Sequence, residues 1–183
     1  MKNIFPLLAL VPLAACGGEP AQQPVSNDST AVAAAQPATA ALNNAAGNNV
    51  GQVSLTEGPD GVTIKLAATG LSPGAHGIHV HTVGRCEGPK FDSAGPHWNP
   101  AGKKHGRDNP DGAHLGDLVN FDAAADGRGE ASFVIAGATL REGAQAVIDG
   151  DGAAVVIHAK ADDYKTDPSG DSGDRIACAT LGG

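Results

Sequence analysis

From about Ala38 onward the chain is cut into short segments of alternating or apolar residues, and Gly, Pro and Asp punctuate nearly every gap between them. Gln52-Val53-Ser54-Leu55 alternates polar and apolar, a turn signal follows over Glu57-Gly58-Pro59-Asp60-Gly61, and Val62-Thr63-Ile64-Lys65-Leu66 repeats with a period of two. That pattern predicts a β-hairpin. Ile78–His81, Leu118–Phe121, Ala131–Ile135, Ala154–Ile157 and Arg175–Leu181 add further short strands, and a weak first strand is expected over Ala38–Leu42. No long segment carries a helical period. Aromatic residues make up only 3% of the chain, so the core must be built from small aliphatic side chains. About eight strands joined by turns predict an all-β fold, an antiparallel sandwich or barrel.

Two stretches break the rhythm, one over Thr82–Gly116 and the other over Lys160–Asp174. Long loops inside a compact domain usually carry function. The first holds or adjoins most of the chain's histidines. Of seven histidines, six fall between His76 and His114. A lone histidine is ordinarily a surface or core residue, but such a cluster points to metal. His79 and His81 stand two apart on a strand, so both imidazoles share one face while Val80 points to the other. His158, at the end of Val155-Val156-Ile157, is placed to supply a third ring. An all-imidazole set suits copper. His97, His105, His114 and Asp117 follow with seven, eight and two residues between them. Three imidazoles and a carboxylate suit tetrahedral zinc, although this spacing alone fits many geometries.

The N-terminus predicts export. Met1-Lys2-Asn3 is short and basic, and Ile4 to Ala15 is an apolar run too short to span a bilayer as a helix, which is the pattern of a signal peptide over 1–15. Leu13-Ala14-Ala15-Cys16 resembles the bacterial lipoprotein box, which makes Cys16 the expected lipidated residue. Residues 16–36, rich in Ala, Pro, Gln and Ser, read as a flexible tether, and 37–183 as the folded domain. These features together imply a bacterial cell-envelope protein held by a lipid anchor, at the periplasm or the outer membrane. Of three cysteines, Cys86 and Cys178 remain, an invitation to one disulfide or to two free thiols. The net charge of −8 argues against nucleic acid or an anionic membrane surface as the main partner.

Five blocks then occur in one order: Gly77-Ile78-His79-Val80-His81, Ser93-Ala94-Gly95-Pro96-His97-Trp98-Asn99-Pro100, His114-Leu115-Gly116-Asp117-Leu118, His158-Ala159-Lys160-Ala161-Asp162-Asp163 and Gly173-Asp174-Arg175-Ile176-Ala177-Cys178. They resemble the copper/zinc superoxide dismutase family. The resemblance implies a Greek-key β-sandwich or barrel and the disproportionation of superoxide to dioxygen and hydrogen peroxide, with copper and zinc as cofactors. It implies copper ligands His79, His81, His97 and His158, and zinc ligands His97, His105, His114 and Asp117, with His97 shared. Asp162 corresponds to a carboxylate joining a copper-ligand and a zinc-ligand histidine. Arg175 corresponds to the arginine that guides the anion, and Cys86 and Cys178 to the disulfide that pins the long loop. His76 corresponds to a histidine outside the ligand set. Lys160 and Lys165 are the other cations near Arg175 in the chain. Monomer and homodimer both remain open. The competing reading is a copper- and zinc-binding envelope lipoprotein without turnover.

Overall fold

The structure, a computed structural model, describes residues 36–182. The predicted signal peptide and, but for Gln36, the tether with Cys16 lie outside the described residues. Nine strands follow in order: β1 (Ala38–Asn44), β2 (Asn49–Gly58), β3 (Gly61–Ala68), β4 (Gly74–His76), β5 (Ile78–His81), β6 (Phe121–Ala123), β7 (Gly129–Ala136), β8 (Ala153–His158) and β9 (Arg175–Leu181). Seven form one antiparallel sheet in the order β5-β8-β9-β1-β2-β3-β7, and β4 pairs with β6. Strand β3 pairs with β7 and β5 with β8, so the order jumps along the chain in Greek-key fashion rather than running as a meander.

The predicted hairpin is present, with Gly58 opposite Gly61 and Val53 opposite Leu66. Its alternation buries Val53, Leu55, Val62, Ile64 and Leu66. Strand β1 forms despite its alanine-rich sequence because β2 and β9 flank it on both sides. Two expectations shift. Strand β4 carries Gly-Ala-His, with no β-forming residue to announce it, and is supported by pairing with β6. The run Leu118–Phe121 is not a strand: β6 begins only at Phe121, because the main chain and side chain of Asn120 bond to the loop after β8.

Strand β8 is buried at every position, which a period of two does not predict. Ala153, Val155 and Ile157 join the main core, while Ala154 and Val156 pack on Phe91, Ala94 and Cys178. The second layer is the start of the first long loop folding over the sheet. The Cys86–Cys178 disulfide ties that loop to β9, with Cα atoms 5.7 Å apart and a sequence separation of 92. Phe91, in the left-handed region at φ 55°, opens a single 3₁₀ turn over Asp92–Ala94.

One irregularity aims a functional residue. On β9, Ala177, Ala179 and Leu181 face the main core, so strict alternation would send Arg175 there too. The register instead runs from Ile157 opposite Ala177 to His158 opposite Arg175, which leaves Ile176 as an extra residue. A bulge of this kind re-aims the chain. It turns Arg175 to the side of His158.

Candidate metal centre

Strand β5 lies at the edge of the large sheet, and its free edge is covered by the long loop. Val80 N–H donates to Gly116 O at 2.9 Å, Trp98 N–H donates to Val80 O at 2.7 Å, and Gly116 N–H donates to Trp98 O at 2.9 Å. These three bonds set His81 opposite His97 and His79 opposite Asp117. A Cβ at Gly116 would stand 2.5 Å from Val80 O, so only glycine allows this approach. Residues far apart in sequence thus meet beside the predicted His-x-His pair.

His79, His81, His97 and His158 are all buried, and one ring nitrogen of each lies within 4.8 Å of the others'. A second group unites His79, His97, His105 and Asp117. His114 stands outside that tight group but at its border. Asp117 Oδ1 lies 2.8 Å from His97 Nδ1, 3.1 Å from His105 Nδ1 and 3.0 Å from His114 Nδ1. Three Nδ1 atoms therefore converge on one carboxylate oxygen, and the predicted His97, His105, His114 and Asp117 set is brought together. His79 and His97 belong to both groups; His97 turns Nδ1 toward Asp117, whereas His79 turns Nε2 toward Asp162.

Asp162 joins the two sides, as the resemblance implied. Its Oδ2 is 2.7 Å from His79 Nε2 and its Oδ1 is 3.0 Å from His105 Nε2. Gly170, at φ +66°, makes room, since a Cβ there would collide with Asp162 Oδ1. His76 stands apart from both groups. Its Nδ1 is 2.7 Å from His158 O and its Nε2 is 2.8 Å from Ser72 O, so it braces the backbone that carries His158.

Among the described residues, four buried ring nitrogens lack a hydrogen-bond partner: His79 Nδ1, His81 Nε2, His105 Nδ1 and His158 Nε2. The His105 nitrogen is close to Asp117 but poorly directed. Native proteins rarely leave buried polar atoms unpaired. Four such atoms at one site, aligned with imidazole and carboxylate donors, fit copper and zinc ions.

The electrostatics divide the rings. Burial lowers His79 and pushes His81 well below the ordinary histidine value. Burial also brings His97 down to about 4, against the hydrogen bond to Asp117, and His158 to about 3, helped by the nearby His79 ring. These rings are kept neutral, as metal ligands must be. Burial would lower His105 as well, but the Asp117 and Asp162 carboxylates outweigh it and lift the ring to about 9. Burial would raise both carboxyls, yet the histidine partners, His105 foremost, hold each far below its ordinary range.

Arg175 closes the site on one side. Its Nη1 donates to Phe91 O at 2.7 Å and its Nη2 to Gly95 O at 2.9 Å. The same Gly95 oxygen lies 2.8 Å from His81 Nδ1. Among the described residues Arg175 forms no ion pair, with Asp174 or any other acid. It lines an open cleft of about 1000 Å³ together with His97, His114, His158, Lys103 and Lys104. Lys160 and Lys165 do not line it, so the other cations at the rim come from the first long loop. Lys104 pairs with Asp167 at 3.3 Å.

Residues 49–181 match the family model described as copper/zinc superoxide dismutase. The chain is 43% identical over 147 residues to the copper/zinc superoxide dismutase of Caulobacter vibrioides, covering 79% of this chain and 84% of that protein. It is 43% identical over 143 residues to the superoxide dismutase-like protein YojM of Bacillus subtilis, covering 76% and 73% of the two. Among solved structures, a double mutant of a SOD-like protein from Bacillus subtilis aligns with a TM-score of 0.77 at 42% identity, over 79% of this chain and 97% of that one. The copper/zinc enzyme from Brucella abortus aligns with a TM-score of 0.62 at 29% identity, over 80% and 99%.

The buried neutral rings make a pH prediction for the metal-free protein. Between pH 6.5 and about 4 the unfolded chain protonates His97 and His158 while the folded chain does not. Stability must then fall as pH drops through that window. His105 is protonated in the folded chain throughout and incompletely protonated in the unfolded chain only near pH 6.5, so it opposes the trend weakly, while the two aspartates, ionised in the folded chain, add to it toward pH 4. The urea midpoint of chelated protein is expected to be lower at pH 4.5 than at pH 6.5. An equal or higher midpoint at pH 4.5 would show that the rings are not buried neutral.

Proposed function

The chain belongs to the copper/zinc superoxide dismutase family, and from that membership and the site geometry we propose how it disproportionates superoxide and where it works. Two superoxide anions and two protons give dioxygen and hydrogen peroxide. Bound copper supplies the one-electron couple for this reaction, whereas zinc has no redox chemistry and supplies charge and fixed geometry. His79, His81, His97 and His158 would hold copper. His97, His105, His114 and Asp117 would hold zinc. The observation that carries the reading is the convergence of both sets on His97, supported by the four buried unpaired ring nitrogens.

The protein's own groups divide the work. His97 turns Nδ1 toward Asp117 and its other edge toward His79, His81 and His158. Whenever that edge is not engaged by the ion, a proton held at its Nε2 would be placed for delivery to the peroxide as it forms. Asp162 fixes the orientations of His79 and His105 from outside the ligand set. Arg175 offers a fixed guanidinium to a small anion in a protein of net charge −8. Local attraction of this kind steers anions against an unfavourable global field, an effect for which superoxide dismutases are a known example.

The N-terminal sequence supports the location. A basic start, an apolar run ending at Ala15 and Cys16 directly after it support export and lipid attachment to the bacterial envelope. More than one acyl chain is needed for stable anchoring.

Protein loaded with both metals is expected to remove superoxide, and His158→Ala to abolish turnover while keeping most zinc binding. Retained activity in that variant would overturn the copper assignment, and a loaded parent without activity would favour a metal-binding role instead. Arg175→Ala should slow the reaction about tenfold or more and flatten its ionic-strength dependence. An unchanged salt profile would remove the steering role. Cys16→Ser should shift the protein from the membrane to the soluble fraction of the producing cells, and continued sedimentation with membranes would count against lipidation.

A further inference from the structure

We infer that Asn120 is the positioning residue that holds the Asp162 carboxylate in place and, through it, both His79 and His105. The inference rests on the reading above that these two rings are ligands. Asp162 opens a long loop, with no strand to fix its backbone. Asn120 takes the place of a strand. Its Nδ2 donates to Asp162 O at 2.9 Å, and Asp162 N–H donates to Asn120 Oδ1 at 2.8 Å. One side-chain amide thus satisfies both polar groups of the Asp162 backbone, as a ladder partner would. The main-chain N–H of Asn120 donates to the Tyr164 hydroxyl at 2.8 Å, and Tyr164 N–H donates to Asp162 Oδ1 at 2.6 Å. The Asp162 side chain is fully buried, and each of its oxygens receives a histidine nitrogen.

The placement of Asn120 also joins two ligand-bearing segments. It follows Asp117 by three positions, and Asp117 receives His97, His105 and His114. Asn120 therefore locks the segment carrying the zinc-side carboxylate to the segment carrying the carboxylate that spans both sides. Only an amide supplies both halves of this clamp. Aspartate keeps the acceptor for Asp162 N–H but has no donor for Asp162 O, and alanine keeps neither.

Full-length protein and its Asn120→Ala, Asn120→Asp, Asp162→Ala and double Asn120→Ala/Asp162→Ala variants would be compared by zinc affinity in chelator competition and by the Cu(II) EPR spectrum. A residue acting on ligand orientation should cost about 10- to 100-fold in zinc affinity when replaced by alanine, and less when replaced by aspartate. The EPR spectrum of Asn120→Ala should move in the same direction as that of Asp162→Ala. Because Asn120 acts through Asp162, its removal in the Asp162→Ala background should change zinc affinity by less than about twofold. Parent-like zinc affinity and EPR in Asn120→Ala, or losses that simply multiply in the double variant, would overturn the inference. Should Asn120→Ala fail to fold, Asn120→Asp decides by the same two readouts. Both are binding measurements, so a parent that binds both metals but removes no superoxide would sink the proposed function and leave this inference standing.

Discussion

Val80 lends the site its peptide group rather than its side chain. Its N–H and C=O point out from the free edge of β5, and the long loop takes both through Gly116 and Trp98. An open sheet edge is normally a liability that proteins cover or blunt. Here the cover is also the assembly step. The loop residues beside those two contacts are His97 and Asp117, which therefore arrive next to His81 and His79. Side chains drawn from β5, β8 and the first loop need this one pairing to become a single site.

Burying so many rings between β5, β8 and the long loop runs against the hydrophobic logic of the rest of the fold. Each buried polar atom left without a partner costs roughly 1–3 kcal/mol, and four ring nitrogens are in that position. The core is rich in Val, Ile, Leu and Ala and, among the described residues, repeats no such arrangement. The folded chain is thus organised in advance for ions whose coordination would offset the cost. The disulfide and the layer formed by Phe91 and Ala94 against β8 work to the same end, because they hold the loop where the rings are needed.

Much of this was legible in the residues. The period of two in Ile78–His81 placed both histidines on one face, and the hairpin from β2 to β3 announced itself through alternation and its turn. The ordered blocks around His79, His97, His114, His158 and Arg175 pointed to the candidate ligands, and the fold brings those residues together. What escaped the sequence depends on tertiary partners. Strand β4 has no propensity of its own. The apolar run at Leu118 stops short of a strand because Asn120 is engaged elsewhere. The inserted residue at Ile176, which turns Arg175 around, leaves no compositional trace, since a register slip exists only between two strands. The cations that line the cleft beside Arg175, Lys103 and Lys104, were not legible either, because nearness to Arg175 in the chain does not measure nearness in space.

Gly95 presents a single carbonyl oxygen to two different tasks, meeting the guanidinium of Arg175 on one side and the ring of His81 on the other. Any tilt of that one peptide plane must disturb both neighbours at once. On the proposed reading, anion capture by Arg175 and the stiffness of the His81 ring are consequently not separate knobs for evolution or for an engineer. A change that loosens the doorway also loosens the hinge, and variants improved in one respect should carry a correlated shift in the other.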